Sequence, residues 1–412
     1  MQITLLKNSP TPIWKRTLLW LGIILIIIAM AYLIASSQDF YRAKGKDFFS
    51  LWLAPRLILD GKNPYNPEDW VPAHTTFGAK WVSDSTFLYP LPVAVFLLPL
   101  GLVSLEYAAV LWVTLSILAI LLAVSISLHN WRNFLSASYY LPILIGVFFF
   151  RPVTVTLWLG QIDGLILVLL ALGQLQWQKQ NWFIGSIIVT LSIIKPQIGF
   201  PLIAFLTVWL IIRRLWNAML GVGITLFVFY MVGWLFDHYW LFQWIEISRS
   251  KNEPLFCCTP TIWGLGSALC NFNPGCGVVL GIIIALGLCS ILLVLLAPIP
   301  TGEVKFVFGL SIPVALLVSP YLWTYSQISL LIPIMIIQDF LKNRQLPYLL
   351  VAPYTLYVAL FTSGIVFLSI KIGVDVLSSL VPLVVFAMLI LCFRYNNDNE
   401  GLPSGYHSLK NE

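Results

Sequence analysis

Runs of apolar residues long enough to cross a bilayer recur along most of this chain, and they restrict its fold more than any other feature. A helix needs roughly 20 such residues to cross a hydrocarbon core of about 30 Å. Within lipid the backbone must satisfy its own hydrogen bonds, so segments of this kind span as helices. Of the 412 residues, 59% are hydrophobic and only 10% are charged, against about 25% charged in a soluble domain. The mean hydropathy of +0.90 therefore reflects successive spans rather than one large core. The fold expected is an all-α polytopic membrane protein. A single transmembrane domain covers residues 1–396, and a polar, disordered cytoplasmic tail covers 397–412.

The first apolar run, 18–36, follows Lys15 and Arg16. It exceeds the 7–15 apolar residues of a signal peptide and reads as an uncleaved span with a cytoplasmic N-terminus. A long first external loop, 37–105, comes next. Within it Asp47 to Leu59 has near-helical apolar spacing and reads as a helix lying in the interface, ended by the turn cluster GKNPYNP. FLYPLPVAVFLLPLGLVS, 87–104, holds Pro90, Pro92 and Pro99. It is short for a span and reads as a re-entrant segment. Further spans are expected at 106–127, 134–150, 163–178, 182–195, 198–212, 217–236, 277–297, 303–318, 327–341, 346–369 and 375–394. That makes about twelve, with both termini inside.

The re-entrant reading sets the topology. With it, Arg132, Lys179, Arg213, Arg214, Lys305, Lys342, Arg344 and Arg394 all fall on the inner side, as the positive-inside rule requires. A crossing at 87–104 would put them all outside. No internal repeat stands out, which weighs against a repeat-built transporter.

The same topology gathers unusual polar residues on the outer side. Arg151, Asp163 and Lys195 sit at span ends, and Asp47 and Arg56 sit in the first external loop. Ionisable groups at membrane depth are costly and commonly face a cavity or a partner. Acids beside several bases suit an anionic substrate with a proton acceptor nearby. Blander roles exist for each: Arg151 can snorkel to headgroups, and Asp47 and Asp163 can stabilise helix starts. Asp60, Glu68, Asp69 and Asp84 read as solvated loop charges, and His74, His129 and His238 as isolated. The many Trp residues read mostly as interface anchors. Cys289 and Cys392 lie in apolar runs and read as packing residues. Cys257, Cys258, Cys270 and Cys276 share one polar loop, where disulfides form if it faces an oxidising compartment. No motif for nucleotide phosphates, haem or zinc is present, and no nucleic-acid partner is expected.

Four segments together carry a resemblance: DFFSLWLAPRLILDGKNPY, YPLPVAVFLLPL, WLGQIDGLILVLLALGQLQWQKQNWFIGSIIVTLSIIKPQ and SPYLWTYSQISLLIP. In this order they resemble the motifs of glycosyltransferase family 87, whose members use polyprenol-phosphate sugars. The chain departs from the pattern twice. Asp163 stands where the family usually has Asn, and Ser326 follows Tyr325 where the family often has Asp. The resemblance implies the GT-C fold and an inverting transfer of a hexose, most often mannose, from a lipid-linked monophosphate to an acceptor hydroxyl. It implies Asp47 as the catalytic acid of the first external loop, with Asp163 as a second. Lys195, Arg56 and Arg151 are the candidates for the donor phosphate, and Gln161, Tyr65, Tyr89 and Tyr325 for substrate binding. No cofactor or metal is expected. The partners implied are a polyprenyl-phosphate-sugar donor, a glycan or glycolipid acceptor and membrane lipids, at the external face of the plasma membrane. The competing readings are a lipid-linked-sugar flippase or transporter, and a polysaccharide ligase.

Overall fold

The computed structural model describes residues 27–36, 46–79, 82, 86–128, 137–252, 258–344, 346–372 and 374–400. Of the expectations above, those for Lys15, Arg16, Asp84, His129, Arg132 and Cys257 lie outside these residues. The structure is 83% helix, with no strand among the described residues.

Helix α1 covers 27–35. The first loop folds into α2 (Lys46–Leu59) and α3 (Pro67–Thr76), then two short helices, α4 (Leu91–Phe96) and α5 (Leu98–Gly101). Helix α2 starts with Asp47, whose charge suits the positive end of the helix dipole. Phe48, Leu51, Leu53 and Ala54 are all fully buried, so α2 is more enclosed than a helix floating at an interface. Helix α3 is capped by Asn66, whose side chain accepts from the Glu68 amide. Asp69 is not simply solvated: its carboxylate accepts from the Asn63 backbone and the Asn66 side chain.

The Pro-rich segment is held at both ends by indoles. The Leu88 carbonyl accepts from Trp244, and the Val103 carbonyl accepts from Trp52 of α2. Between them, α4 and α5 are 6 and 4 residues long, so neither approaches the length of a span.

From there the chain runs to and fro. Helices α6 (Leu105–Ser127), α7 (Ala137–Phe149) and α8 (Arg151–Leu159) lead into α9 (Asp163–Gln178) and α10 (Trp182–Thr190). A 3-10 turn at Leu191–Ile194 joins α10 to α11 (Pro196–Ile212), and α12 (Trp216–Phe236) returns. Helices α13 (Trp240–Asn252) and α14 (Ile262–Leu269) form a cover before α15 (Pro274–Leu296) and α16 (Val304–Val318). A 3-10 stretch, Thr324–Leu330, opens α17 (Leu331–Asn343). After the single turn α18 (Tyr348–Val351), α19 (Tyr354–Ile372) leads through a 3-10 turn, Asp375–Ser379, into α20 (Leu380–Glu400). Residues 397–400 of the expected disordered tail thus belong to α20.

The turns at the two ends of this bundle differ in kind. One end is closed by neighbouring turns that satisfy one another. Arg213 donates to the Ala297 carbonyl at 2.6 Å, Trp209 to Ile299 at 3.1 Å, and Gln338 to Val351 at 2.8 Å. Beneath that end Trp177 stacks on Trp209, with Trp182 and Phe308 against them. Trp70, Trp112, Trp177 and Trp209 are all buried, so these indoles are core residues and not the interface anchors expected from composition. The other end is hollow.

Among the described residues, six helices are long and apolar enough to cross a membrane, or seven if the bent pair α7–α8 is one span. The chain is a membrane protein. Fewer helices than the expected twelve reach that length: α9, with 16 residues, α10, α11 and α19 are shorter, α7–α8 bends by 58°, and about half of the first apolar run lies outside the described residues. The bend has a local cause: Pro152 has no N–H to give the Phe148 carbonyl and its ring crowds that carbonyl, so α7 cannot continue through it, and the chain breaks at Phe150, which is extended with φ −66° and ψ 109°. Only 22% of the apolar window of α12 and 11% of that of α15 are buried inside the protein, so both present their sides to lipid.

Helices α7 and α19 touch at Gly146, where an added Cβ would lie 2.5 Å from the Leu356 nitrogen. Gly146→Val is expected to lower the thermal midpoint of the detergent-purified protein, since overpacking costs about 1–3 kcal/mol. Gly223→Ala, which meets nothing within 4 Å, should leave it unchanged or slightly raised. Equal midpoints for Gly146→Val and the parent protein would refute this packing.

Candidate active site

The hollow end encloses a cavity of about 1180 Å³. Four turns supply its chemistry, and in each the local sequence explains the presentation.

The first turn joins α8 to α9. Gly160 ends α8 in the left-handed region, with φ 66° and ψ 40°, a conformation that glycine adopts without penalty. Its carbonyl accepts from Trp112 at 2.8 Å. The chain therefore reverses within GQID, which presents Gln161 at the cavity and places Asp163 in the first turn of α9. The second turn is IIKPQIG. Pro196 is the first residue of α11, and Lys195 is excluded from both helices with φ −124° and ψ 86°. Its carbonyl accepts from the amides of Ile198 and Gly199. Gly199 lets the strands of the turn approach, since a Cβ there would lie 2.6 Å from the Ser192 carbonyl.

The third turn is the α7–α8 break, which sets Arg151 on the cavity wall. The fourth is the extended run Ser319–Trp323 with the following 3-10 stretch. It brings Tyr321, Trp323, Thr324 and Tyr325 to the cavity, and Thr156 of α8 donates to the Tyr325 carbonyl. Asp47 reaches the cavity from the first turn of α2, and Tyr89 from the residues ahead of α4.

Lys195 and Asp163 form the most buried charged contact. Nζ lies 2.5 Å from Oδ2, and the side chains are 2% and 0% exposed. The ammonium also donates to Ser326 Oγ at 3.0 Å and to Gln161 Oε1 at 3.4 Å. It sits 4.6 Å from the centre of the Tyr325 ring, within cation–π range. Removing one partner from a buried pair strands the other charge and costs roughly 3–5 kcal/mol.

The sequence-derived candidates separate into three groups. Asp47, Tyr89, Arg151, Gln161, Lys195 and Tyr325 line the cavity. Asp163 and Tyr65 lie behind its wall. Tyr65 donates to the Tyr89 carbonyl at 2.7 Å, and burial pushes its phenol well above the usual range, so it stays a neutral donor that fixes Tyr89. Arg56 is not at the cavity at all. Its guanidinium pairs with Asp60 at 3.6 Å, donates to the Gly101 carbonyl and lies over Phe77. It clamps α2 to α5, because it leaves α2 on the face opposite to that of Asp47.

Sequence reasoning missed Asp375 and the aromatic rim of Trp244 and Trp323. Asp375 accepts from Thr324 Oγ1 and, at 2.6 Å, from Ser378 Oγ, and the Arg151 charge acts on it across the cavity. The signal was present: Asp375, like Asp163, is an acid directly ahead of an apolar run. Asp47 and Asp163 both lie close enough to Tyr325 to act on its hydroxyl electrostatically. Among the described residues no group of three acids, histidines and cysteines is gathered in a way that suits a metal ion.

Of the four cysteines in the polar loop, Cys270 and Cys276 form a disulfide at the turn between α14 and α15. Cys258 lines the cavity, while Cys392 is buried and Cys289 half-buried.

In comparisons with known proteins, no curated protein and no solved structure matches the chain. The model of glycosyltransferase family 87 matches residues 87–320, a stretch that takes in the Pro-rich segment, Arg151, the GQID turn and the Lys195 turn. That match covers more than half of the sequence and takes in two of the four motifs read from it: the chain belongs to glycosyltransferase family 87.

Proposed function

We propose that the protein is an inverting glycosyltransferase of GT-C architecture that moves a hexose from a polyprenyl-phosphate donor to an acceptor hydroxyl at the external face of the plasma membrane. Mannose is the sugar favoured by family analogy. The observation that carries this reading is the convergence of Asp47, Arg151, Gln161 and Tyr325 on one cavity at one end of a membrane-embedded bundle.

Several features support the orientation. Lys179, Arg213, Arg214, Lys305 and Lys342 fall at the closed end, as the positive-inside rule expects of a cytoplasmic face. The Cys270–Cys276 disulfide falls at the cavity end, where an oxidising compartment would maintain it. In the proposed architecture helices α6, α7, α9, α10, α11, α12, α15, α16, α17, α19 and α20, together with the first apolar run, are read as the twelve crossings.

In the reaction, the acceptor oxygen attacks C1 of the sugar while the bond from C1 to the phosphate oxygen breaks. The acceptor proton passes to Asp47, and the phosphate leaves with one more negative charge. A positioned carboxylate base contributes about 10²–10⁴-fold. The phosphate needs a cation aimed at its developing charge. Arg151 takes that role, because Lys195 is already offset by Asp163 at 2.5 Å. The aromatic rings of Tyr89, Trp244 and Trp323 give sugar faces apolar surfaces to lie on, and the apolar tail of the donor stays in lipid. No metal or cofactor enters this scheme.

Three measurements test it. Incubation with radiolabelled polyprenyl-phosphate-mannose and membrane extract should release the lipid phosphate and transfer label; label that only changes leaflet points instead to a flippase. Asp47→Asn should lower turnover by about 10²-fold or more with the fold intact, and near-parental turnover refutes the base assignment. Arg151→Ala should lower turnover by roughly 10²–10³-fold, whereas Arg56→Ala, outside the cavity, should leave it nearly unchanged. The reverse pattern would mean that the phosphate lies against α2.

A further inference from the structure

A lysine ammonium carries three N–H donors and accepts nothing. All three of those of Lys195 are met inside the protein, by Asp163 Oδ2, Ser326 Oγ and Gln161 Oε1. An ammonium so engaged is a poor ligand for an incoming phosphate. Asp163 is equally ill placed for proton transfer to an acceptor. It is 0% exposed and lies behind the cavity wall.

The ammonium does have a directional effect. Because it can only donate, Gln161 must turn its carbonyl oxygen toward it. Tyr89 donates to the same oxygen at 3.3 Å. With Oε1 held from two sides, the NH₂ end of Gln161 is left for the cavity that this residue lines. An amide presented in this way offers two hydrogen bonds to an anion without adding charge.

We propose that Asp163 and Lys195 are positioning residues, and that the group they position is the Gln161 amide, which donates to a phosphate oxygen of the lipid-linked donor. Asp163 is the counter-ion that keeps the ammonium in place. Position 326 is the second seat for such a counter-ion: Ser326 Oγ already lies 3.0 Å from Nζ, so a carboxylate carried there meets the same ammonium. The proposal rests on the transferase reading only for the identity of the phosphate; the exchangeable counter-ion stands without it.

The test is a relocation of the charge. Asp163→Asn should lower the thermal midpoint of the full-length protein in detergent by roughly 5 °C. It should also raise the KM for polyprenyl-phosphate-mannose at least tenfold. Adding Ser326→Asp to Asp163→Asn should bring the midpoint back to within about 1 °C and restore most of the turnover. Gln161→Glu keeps an acceptor for Lys195 but replaces the NH₂ with an oxygen. It should stay folded and raise the donor KM by about 10²-fold, more than it lowers kcat. A double variant that regains its midpoint but stays inactive overturns the positioning role, since Asp163 would then act in the chemistry itself. A midpoint that is not regained overturns the second seat at 326. An unchanged donor KM in Gln161→Glu overturns the role of the amide. If the parent protein shows no transfer from this donor, the transferase reading fails, and the midpoints still decide whether the counter-ion can be exchanged.

Discussion

The buried contact between Lys195 and Asp163 joins three stretches of chain that are remote in sequence. One ammonium ties the α8–α9 turn, the α10–α11 turn and the 3-10 stretch ahead of α17. Each stretch has its own reason to be irregular: a left-handed glycine, a proline at a helix start, an extended run after α16. Irregular backbone at membrane depth is tolerated only where protein or water satisfies it. The ion pair and its neighbours supply part of that satisfaction, so the cavity wall and the bundle share one set of bonds. A buried pair of this kind is weak support for stability in itself, but its geometry is demanding. Its contribution here is to hold three turns in register.

The outer parts of the cavity are organised more loosely. Asp375, in the 3-10 turn ahead of α20, is under the influence of the Arg151 charge from α8, and Thr324 and Ser378 hold the carboxylate. Trp244 bonds the Leu88 carbonyl and so fastens α13 to the Pro-rich segment. The cavity thus has a rigid back, made by the bundle, and a rim made by short helices and loops. That division suits a site in which charge must be fixed at the back while a long lipid and an acceptor come and go at the front.

Much of this was legible in the sequence, because lipid imposes a strict code. Apolar run lengths predicted the helices, and the placement of Lys and Arg predicted which turns share an end. The GQID and KP turns could be singled out because an acid or a base beside an apolar run is expensive. What could not be read was partnership. From the resemblance alone, Asp163 and Ser326 read as two separate departures from its pattern. In the structure both touch the same Lys195 ammonium. Arg56 lies apart from the cavity for a related reason. Charge and proximity in sequence to Asp47 say nothing about which side of α2 a side chain leaves from, and packing on Gly101 and Phe77 decided it. The buried indoles near the closed end were missed because an apolar helix carries no mark of which face meets protein and which meets lipid.

The shortness of two helices has a consequence for depth. Helix α11 has 17 residues, which at 1.5 Å each make about 26 Å. The strand of chain that climbs to it, Trp182–Ile194, is shorter still. The apolar layer it must cross is about 30 Å thick. In the proposed orientation, with the closed end at the inner interface, the Lys195 turn stops short of the outer one. That orientation sinks the back of the cavity beneath the plane of the headgroups, in a well whose walls are protein and whose surroundings are hydrocarbon. A sugar phosphate anchored by its own tail could enter such a well sideways, by sinking a few ångströms rather than by rising into water.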